Sequence, residues 1–314
     1  MSSAVPIGRR VKVSVPATTA NLGPGFDTLG MALTIYDELE VEAVAGSGVT
    51  VEVHGVGEGE VPTDETNLVA RSLIFAAEKV GHSLPGLKLT AHNSIPHGRG
   101  VGSSGAAIVA GVMAAKGLLE GIVDFSEDLL LEIATEIEGH PDNIAPSLFG
   151  GLTIAWMADG TPRSKKLAVH RGVSLMVAIP EESTMSTQLA RSLQPETVPH
   201  EDAIFNLSRA SLLIAALLDS PGLLFEATED RLHQNYRASA MQDTDKLIKA
   251  LRGEGLAAVV SGAGPSVLVL CSDPAQRLQA EAVVAKNQTS PWNCRMLTVD
   301  ERGATVEVLP ALAD

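Results

Sequence analysis

The sequence predicts an α+β fold, because strand and helix patterns alternate along the chain without a strict βαβ rhythm. Short stretches in which every second residue is apolar indicate strands, whereas apolar residues every three or four positions indicate helices. Of the 314 residues, 45% are hydrophobic but only 3% are aromatic. Val, Leu, Ile and Ala must therefore fill the core, and the length accommodates two domains of ordinary size.

The first part of the chain is predicted to form strands interspersed with three helices. The strands are expected at residues 11–15, 35–44, 49–56, 87–95 and 151–156. The helices are expected at residues 66–80, 103–119 and 125–138. The second of these helices carries no charge before Lys116, which predicts that it is buried.

A short polar break at residues 163–166 is followed by a restart of the pattern. The break predicts a boundary near residue 160, with an N-terminal nucleotide-binding domain at 1–162 and a C-terminal domain at 163–314. The elements expected beyond it are a strand at 173–179, helices at 204–218, 232–251 and 275–286, a strand–turn–strand at 257–270 and a closing hairpin at 294–309.

The net charge of −15 argues against a nucleic-acid-binding protein, which needs a basic surface. It does not exclude a small anionic ligand, because a few amides and arginines create a locally positive pocket. Cys271 and Cys294 form neither a disulfide framework nor a zinc motif, so a reducing cytoplasm is expected. The first ten residues lack an apolar stretch of signal-peptide length, and we expect no membrane span.

Three glycines alternate in the loop that joins the strand at 87–95 to the following helix: Gly98, Gly100 and Gly102. Such a loop brings backbone N–H groups close to a ligand, and a helix N-terminus favours phosphate. A tight turn with a serine helix cap is the alternative explanation of the same residues. The spacing excludes both the Walker A motif, since no Lys precedes the serines, and the dinucleotide fingerprint.

Residues 95–107 (IPHGRGVGSSGAA) resemble the nucleotide-binding signature of the GHMP small-molecule kinases, with Val101 and Gly105 as mild departures. Residues 15–27 (VPATTANLGPGFD) and 261–266 (SGAGPS) resemble the first and third motifs of that family, in the same order. The form of the first motif and the segment EGHPDNIAP at 138–146 resemble the branch of the family whose acceptor is L-homoserine.

The resemblance implies a two-domain GHMP kinase fold, with a domain like ribosomal protein S5 domain 2 packed on a ferredoxin-like domain. It also implies ATP in the cleft, Mg²⁺ as cofactor and a homodimer. The residues implied for ATP are Asn67, near the adenine, and the loop residues Pro96, His97, Gly98, Arg99, Gly100, Val101, Gly102, Ser103, Ser104, Gly105 and Ala106. For Mg²⁺ it implies Glu132, eight residues before His140, with Ser104 as a hydroxyl partner.

L-Homoserine presents a hydroxyl, an ammonium and a carboxylate, so its site needs hydrogen-bond acceptors and a cation. The resemblance implies that Asn21, Asp27 and His140 contact the acceptor and that Arg209 and Arg237 bind its carboxylate. It also implies that Asp142 and Asn143 are catalytic, with Asp142 as the general base. The expected activity is ATP-dependent phosphorylation of the L-homoserine hydroxyl, a step of threonine biosynthesis.

Two alternatives remain at this point. One is another kinase of the family, such as one acting on mevalonate, whose acceptor lacks the ammonium that Asp27 would match. The other is a non-catalytic S5-like binding module, which has no need to keep the phosphate loop together with Glu132 and Asp142.

Overall fold

The strands of the computed structural model form two sheets; the model describes residues 5–287 and 290–310. In that part of the chain the strands are β1 (Arg10–Ala20), β2 (Leu29–Val44), β3 (Val49–Gly55), β4 (Gly86–Asn93), β5 (Leu152–Ala158), β6 (Thr161–Leu167), β7 (Ser174–Pro180), β8 (Ala257–Val260), β9 (Val267–Cys271), β10 (Trp292–Leu297) and β11 (Thr305–Leu309). The larger sheet runs β11-β1-β2-β4-β3, with β5 on β2 and β6 on β5; the smaller runs β10-β7-β9-β8.

Helices cover these sheets and shield their apolar side chains from water. They are α1 (Leu68–Lys79), α2 (Ser103–Leu118), α3 (Glu127–Glu138), α4 (Ile144–Phe149), α5 (Thr187–Ser192), α6 (His200–Leu218), α7 (Leu224–Ala227), α8 (Gln234–Arg237), α9 (Gln242–Gly253) and α10 (Pro274–Lys286). Among the described helices, none combines the length and the apolar character needed to cross a bilayer.

The central helix α2 is buried on nearly all sides, as its small apolar residues predict. It packs against α1, α3 and β1. At Gly111 a Cβ atom would overlap the backbone of α1 at Val69, so glycine is needed for this close helix contact. Helix α2 therefore has a fixed position, and its N-terminus is a rigid support for the glycine loop that precedes it.

The predicted α+β class is confirmed, but two elements of the prediction are wrong. Residues 232–251 are not one helix: α8 ends at Arg237, a 3-10 turn follows at Ala238–Ala240, and Met241 leaves the helical conformation (φ −140°, ψ 63°) before α9 begins. The predicted closing hairpin does not exist, since β10 pairs with β7 in the smaller sheet and β11 pairs with β1 in the larger one. The segment between them crosses from one sheet to the other, where Asp300 accepts hydrogen bonds from the Arg302 and Gly303 amides.

The division of the chain after residue 162 falls inside β6, which pairs with β5 along its whole length. The larger sheet thus extends to Leu167 and also receives β11 from the C-terminal end. Residues from both halves meet where β1 ends, where α2 begins and where the turn after β8 lies. This junction holds the residues described next.

Candidate active site

The glycine loop before α2 has a left-handed backbone at each of its three alternating glycines: φ is +63° at Gly98, +75° at Gly100 and +76° at Gly102. At Gly100 a Cβ atom would overlap the carbonyl oxygen of Ser261, and at Gly102 it would overlap the Thr18 hydroxyl. The glycines are therefore required both by backbone conformation and by close packing against the first- and third-motif segments. The sequence pattern predicts either close approach of a ligand or a tight turn at these glycines, but not their packing against the other two motifs.

The carbonyl groups and the N–H groups of the loop backbone differ sharply in their hydrogen bonding. The carbonyl groups of Gly98 to Gly102 accept bonds from, in order, the Met185 amide, the Ser266 amide, the Ser261 hydroxyl, the Thr18 amide and the Ala106 amide. Across the part of the chain that the structure describes, the backbone N–H groups of residues 100–104 donate to no acceptor. A row of unpaired N–H groups at a helix N-terminus is an anion-binding arrangement.

Two side chains fix this loop, one just before it and one within it. Asp37 of β2 accepts hydrogen bonds from the amides of Ser94 (2.7 Å) and Ile95 (2.9 Å), just before the loop. Burial raises the pKa of Asp37, and these two amide bonds oppose the rise. On the other side Arg99 donates to the Glu181 carbonyl at 2.6 Å. Arg99 thus holds the segment after β7 through one Nη group, and its partner is a neutral carbonyl.

A hydroxyl–carboxylate pair lies where α2 begins. Ser104 donates through Oγ to Glu138 Oε2 at 2.9 Å. Burial raises the pKa of Glu138, and the Ser104 bond lowers it in part. Glu138 is the last residue of α3, which ends at Gly139 in a left-handed conformation (φ 95°).

The pair supplies two hard oxygen donors beside the row of free amides, which suits Mg²⁺. The sequence prediction had placed this carboxylate at Glu132. That residue is exposed on α3, and its side chain forms no hydrogen bond or ion pair in the described ranges. Within the same ranges no cluster of three or more His, Cys, Asp and Glu residues could hold a metal by protein ligands alone. Mg²⁺ would therefore share its coordination with phosphate and water.

His140, Asp142 and Asn143 follow α3 directly and lie together. His140 Nδ1 lies 2.5 Å from Asp142 Oδ1, and this contact raises the pKa of His140. The same Oδ1 accepts from the Asn143 amide at 3.0 Å. The buried Asp142 has its second oxygen, Oδ2, without a hydrogen bond among the described residues. This oxygen can accept a hydrogen bond from a ligand.

Thr18 joins this acidic group to the glycine loop. Its hydroxyl donates to Asn143 Oδ1 at 2.8 Å, and its amide donates to the Val101 carbonyl at 3.1 Å. One buried residue of β1 therefore fixes the distance between the unpaired loop amides and the His140–Asn143 segment. Thr18 lies within the first motif, but no pattern in the sequence indicates this bridging role.

The first-motif turn places Asn21 and Asp27 at the same junction, both with positive φ (72° and 54°). Asn21 donates to the Gly262 carbonyl at 2.8 Å and accepts from the Asp27 amide at 3.0 Å. Asp27 receives both arms of Arg191, at 2.9 and 3.0 Å. Arg191, on α5, was not identified from the sequence, because no motif marks it and only the tertiary fold brings it to Asp27.

Arg237 is buried at the same junction and has only neutral partners. It donates to the Gly262 carbonyl at 3.4 Å, and its guanidinium lies 5.1 Å from the centre of the Phe26 ring. Phe26 in turn stacks on His233 at 4.8 Å, and His233 Nε2 donates to the Gly23 carbonyl at 2.7 Å. Burial lowers the pKa of Arg237, whereas Asp27 and Asp142 raise it, so these carboxylates lie within electrostatic reach.

Two residues of the predicted site, Arg209 and Asn67, have local partners of their own. Arg209 pairs with Glu229 at 2.8 Å and lies over the Phe205 ring, in a cavity of about 440 Å³ between α6 and α9. Arg209 makes no described contact with the His140–Asn143 segment, and the Glu229 carboxylate balances its charge. Asn67 caps α1, accepting from the Val69 amide and donating to the Pro62 carbonyl.

The chain matches two family descriptions: residues 67–151 match the GHMP kinases N terminal domain, and residues 213–288 match GHMP kinases C terminal. It is 63% identical over 309 residues to a homoserine kinase of Clavibacter michiganensis subsp. michiganensis, covering 98% of each chain. It is 65% identical to a homoserine kinase of Leifsonia xyli subsp. xyli, covering 95% of this chain and 92% of the relative.

Solved structures show the same relationship. The crystal structure of homoserine kinase from Cytophaga hutchinsonii superposes with a TM-score of 0.85 at 28% identity, covering 95% of this chain and 97% of that one. The predicted two-part GHMP architecture is confirmed by these matches.

Proposed function

Since the chain belongs to the homoserine kinases, within the GHMP kinase family, we propose that it transfers the γ-phosphoryl group of ATP to the hydroxyl of L-homoserine. The observation that carries this proposal is the bridge made by Thr18, which bonds the glycine loop at Val101 and the catalytic segment at Asn143. A phosphate-binding loop and a buried carboxylate are thereby held on either side of one residue. Phosphoryl transfer requires this kind of fixed positioning.

The unpaired N–H groups of residues 100–104 hold the ATP phosphates in this proposal. Glu138 and Ser104 would hold Mg²⁺, which supplies neutralisation of phosphate charge when bound. This assignment replaces Glu132 by the carboxylate that contacts Ser104. The adenine position of Asn67 stays a prediction, and its capping bonds leave only part of its amide free.

The acceptor amino acid is proposed to lie among Asn21, Asp27, His140 and Arg237. Arg237 receives the carboxylate, because it is a buried cation whose described partners are all neutral. Asp27 is proposed to contact the ammonium alongside Arg191, which already engages both of its carboxylate oxygens, while Asn21 accepts from its backbone amide. The preference for homoserine over mevalonate is supported by the relatives at 63% and 65% identity, which are homoserine kinases.

In the chemical step the hydroxyl oxygen of homoserine forms a bond to the γ-phosphorus of ATP. The bond from that phosphorus to the β,γ-bridging oxygen breaks, and ADP leaves with the electron pair. The hydroxyl proton passes to Oδ2 of Asp142, the oxygen that carries no other hydrogen bond. His140 and the Asn143 amide keep Asp142 in place through Oδ1, and the products are O-phospho-L-homoserine and ADP.

A screen of acceptors tests the proposal. ADP release from MgATP is measured with L-homoserine, mevalonate and galactose offered separately, at equal concentrations. We expect turnover with L-homoserine alone. Turnover with mevalonate or galactose in place of homoserine would refute the acceptor assignment, while turnover with none of them would refute the kinase site as described.

We also propose that the protein acts as a homodimer in the cytoplasm. Both cysteines are free thiols, which supports a reducing compartment. Light scattering coupled to size-exclusion chromatography measures the mass in solution. A value near the 32.7 kDa of one chain would refute the dimer.

A further inference from the structure

Gln194 is the residue that completes the surroundings of Arg237. The side-chain amide is oriented so that its oxygen faces a donor and its nitrogen faces an acceptor. In this orientation Oε1 accepts from Arg237 Nε at 2.9 Å, and Nε2 donates to the Leu232 carbonyl at 3.1 Å. Chemistry fixes this orientation, because an Arg Nε–H only donates and a carbonyl oxygen only accepts. Gln194 follows α5 by two residues, whereas Leu232 and Arg237 flank and end α8.

The described partners of Arg237 are thus the Gln194 amide, the Gly262 carbonyl and the Phe26 ring, and all three are neutral. By contrast Arg191, which lies in the same cluster, has both arms on the Asp27 carboxylate. A carboxylate beside Arg237 would cancel its charge, whereas an amide satisfies the N–H and leaves the charge available. The Nη2 group of Arg237 has no acceptor in the described ranges.

We propose that Gln194 is a positioning and specificity-determining residue: it orients the Arg237 guanidinium and, by being neutral, preserves its charge for the carboxylate of the acceptor. The inference rests on the proposed function, since it presumes that Arg237 binds the acceptor. Gln194 touches no reacting atom and acts only through Arg237.

The segment that carries Gln194 also contacts the nucleotide side. The Met185 amide donates to the Gly98 carbonyl at 2.9 Å, and the Glu181 carbonyl accepts from Arg99 at 2.6 Å. A purely structural role of Gln194 would therefore disturb ATP and acceptor binding together. A role through Arg237 would disturb the acceptor alone, and this difference makes the proposal testable.

The test compares two variants of the full chain that add the same charge to the same segment. Gln194→Glu places a carboxylate on Arg237, and Gln188→Glu places one on an exposed position of α5. For Gln194→Glu we expect KM for L-homoserine to rise about tenfold or more, as charge-assisted hydrogen bonds are lost, with KM for ATP unchanged and a lower melting temperature, because the bond to the Leu232 carbonyl is lost. Gln188→Glu should match the wild type in all three quantities.

Three results would overturn the inference. They are an unchanged KM for homoserine in Gln194→Glu, a parallel rise in KM for both substrates, and an equal effect of Gln188→Glu. If Gln194→Glu fails to fold, Gln194→Asn takes its place; its shorter amide should displace Arg237 and raise the same KM without changing charge. Failure of the proposed function is distinct, because then the wild type itself does not turn over homoserine.

Discussion

The Ser104 hydroxyl and the Glu138 carboxylate, 2.9 Å apart, join the start of α2 to the end of α3. The pair stands beside the unpaired loop amides, so a bound metal would meet the phosphates there. Glu132 lies six residues earlier on the same helix, about 9 Å along the axis and about 240° around it. The two carboxylates therefore point in different directions, and only Glu138 can reach Ser104.

The first prediction concerns Mg²⁺. Glu138→Gln should lower kcat by about 100-fold or more, as expected when charge neutralisation at the transferred phosphate is lost, and should raise the Mg²⁺ concentration needed for half-maximal rate. ADP release titrated with Mg²⁺ measures both quantities. Glu132→Gln is the matched control on α3 and should behave as the wild type. The assignment fails if the control is the variant that loses activity.

Asp142 gives the second prediction. Asp142→Asn keeps the shape of the side chain but removes the proton acceptor, so kcat at saturating substrates should fall about 100-fold or more. The KM for ATP should change little, because the loop amides are untouched. A variant with the wild-type rate at saturating substrate would show that Asp142 is not the base.

A residue of this site could be predicted from the sequence when it belongs to a continuous motif, that is, when its partners lie close to it along the chain. The glycine loop, Asn21, Asp27 and the His140–Asn143 group belong to continuous motifs, and the structure brings them together. Glu138 belongs to the motif segment at 138–146, whereas the family spacing of eight residues before His140 indicates Glu132. In the structure α3 ends at Gly139, immediately before His140, so the nearest carboxylate is the terminal residue of the helix.

Other residues of the site have no local signature. Arg191 and Gln194 lie in and after a six-residue helix, and their partners Asp27 and Arg237 are distant in sequence or on another element. Arg209 and Arg237 look alike as sequence, since each is an Arg in a helical stretch. Their difference is tertiary: Arg209 has the carboxylate of Glu229, while Arg237 has no ion-pair partner within the described ranges.

That difference yields the third prediction. Arg237→Met should raise KM for L-homoserine by about 10- to 100-fold, the equivalent of a lost charge-assisted hydrogen-bond pair. Arg209→Met removes an equal charge from a half-buried ion pair with Glu229 and should leave KM within about twofold, because no described contact joins that pair to the acceptor residues. Steady-state kinetics with varied homoserine concentration measures KM for both variants. Equal effects of the two variants would contradict the placement of the acceptor carboxylate.

The fourth prediction concerns the thiols. Burial raises the pKa of Cys271 and of Cys294 to about 11, so only about 0.1% of each is thiolate at pH 8, against about a quarter for a thiol of ordinary pKa. Alkylation of the folded protein by iodoacetamide should be roughly 100-fold slower than in urea, and should accelerate about tenfold per pH unit up to pH 10. Mass spectrometry counts the modified sites. Fast labelling of the folded protein at pH 8 would contradict the raised pKa values.

The fifth prediction contrasts two glycines of the phosphate loop. Gly102 has φ +76°, and a Cβ there would overlap the Thr18 hydroxyl, which bonds Asn143. Gly105 lies in the first turn of α2, and a Cβ there would lie 3.4 Å from Asn143 Cβ, an ordinary contact. The same substitution should therefore have opposite effects at the two positions.

Gly102→Ala should lower the free energy of unfolding by at least about 1–2 kcal/mol, the cost of a left-handed alanine, and should abolish most activity by moving Thr18 away from Asn143. Gly105→Ala should raise that free energy by up to about 1 kcal/mol through helix propensity. Urea denaturation measures both changes, and ADP release measures the activity. Gly105→Ala leaves every backbone N–H of the loop in place, so the variant should stay active. Loss of its activity would contradict the conclusion that a Cβ atom fits at position 105 without disturbing the loop.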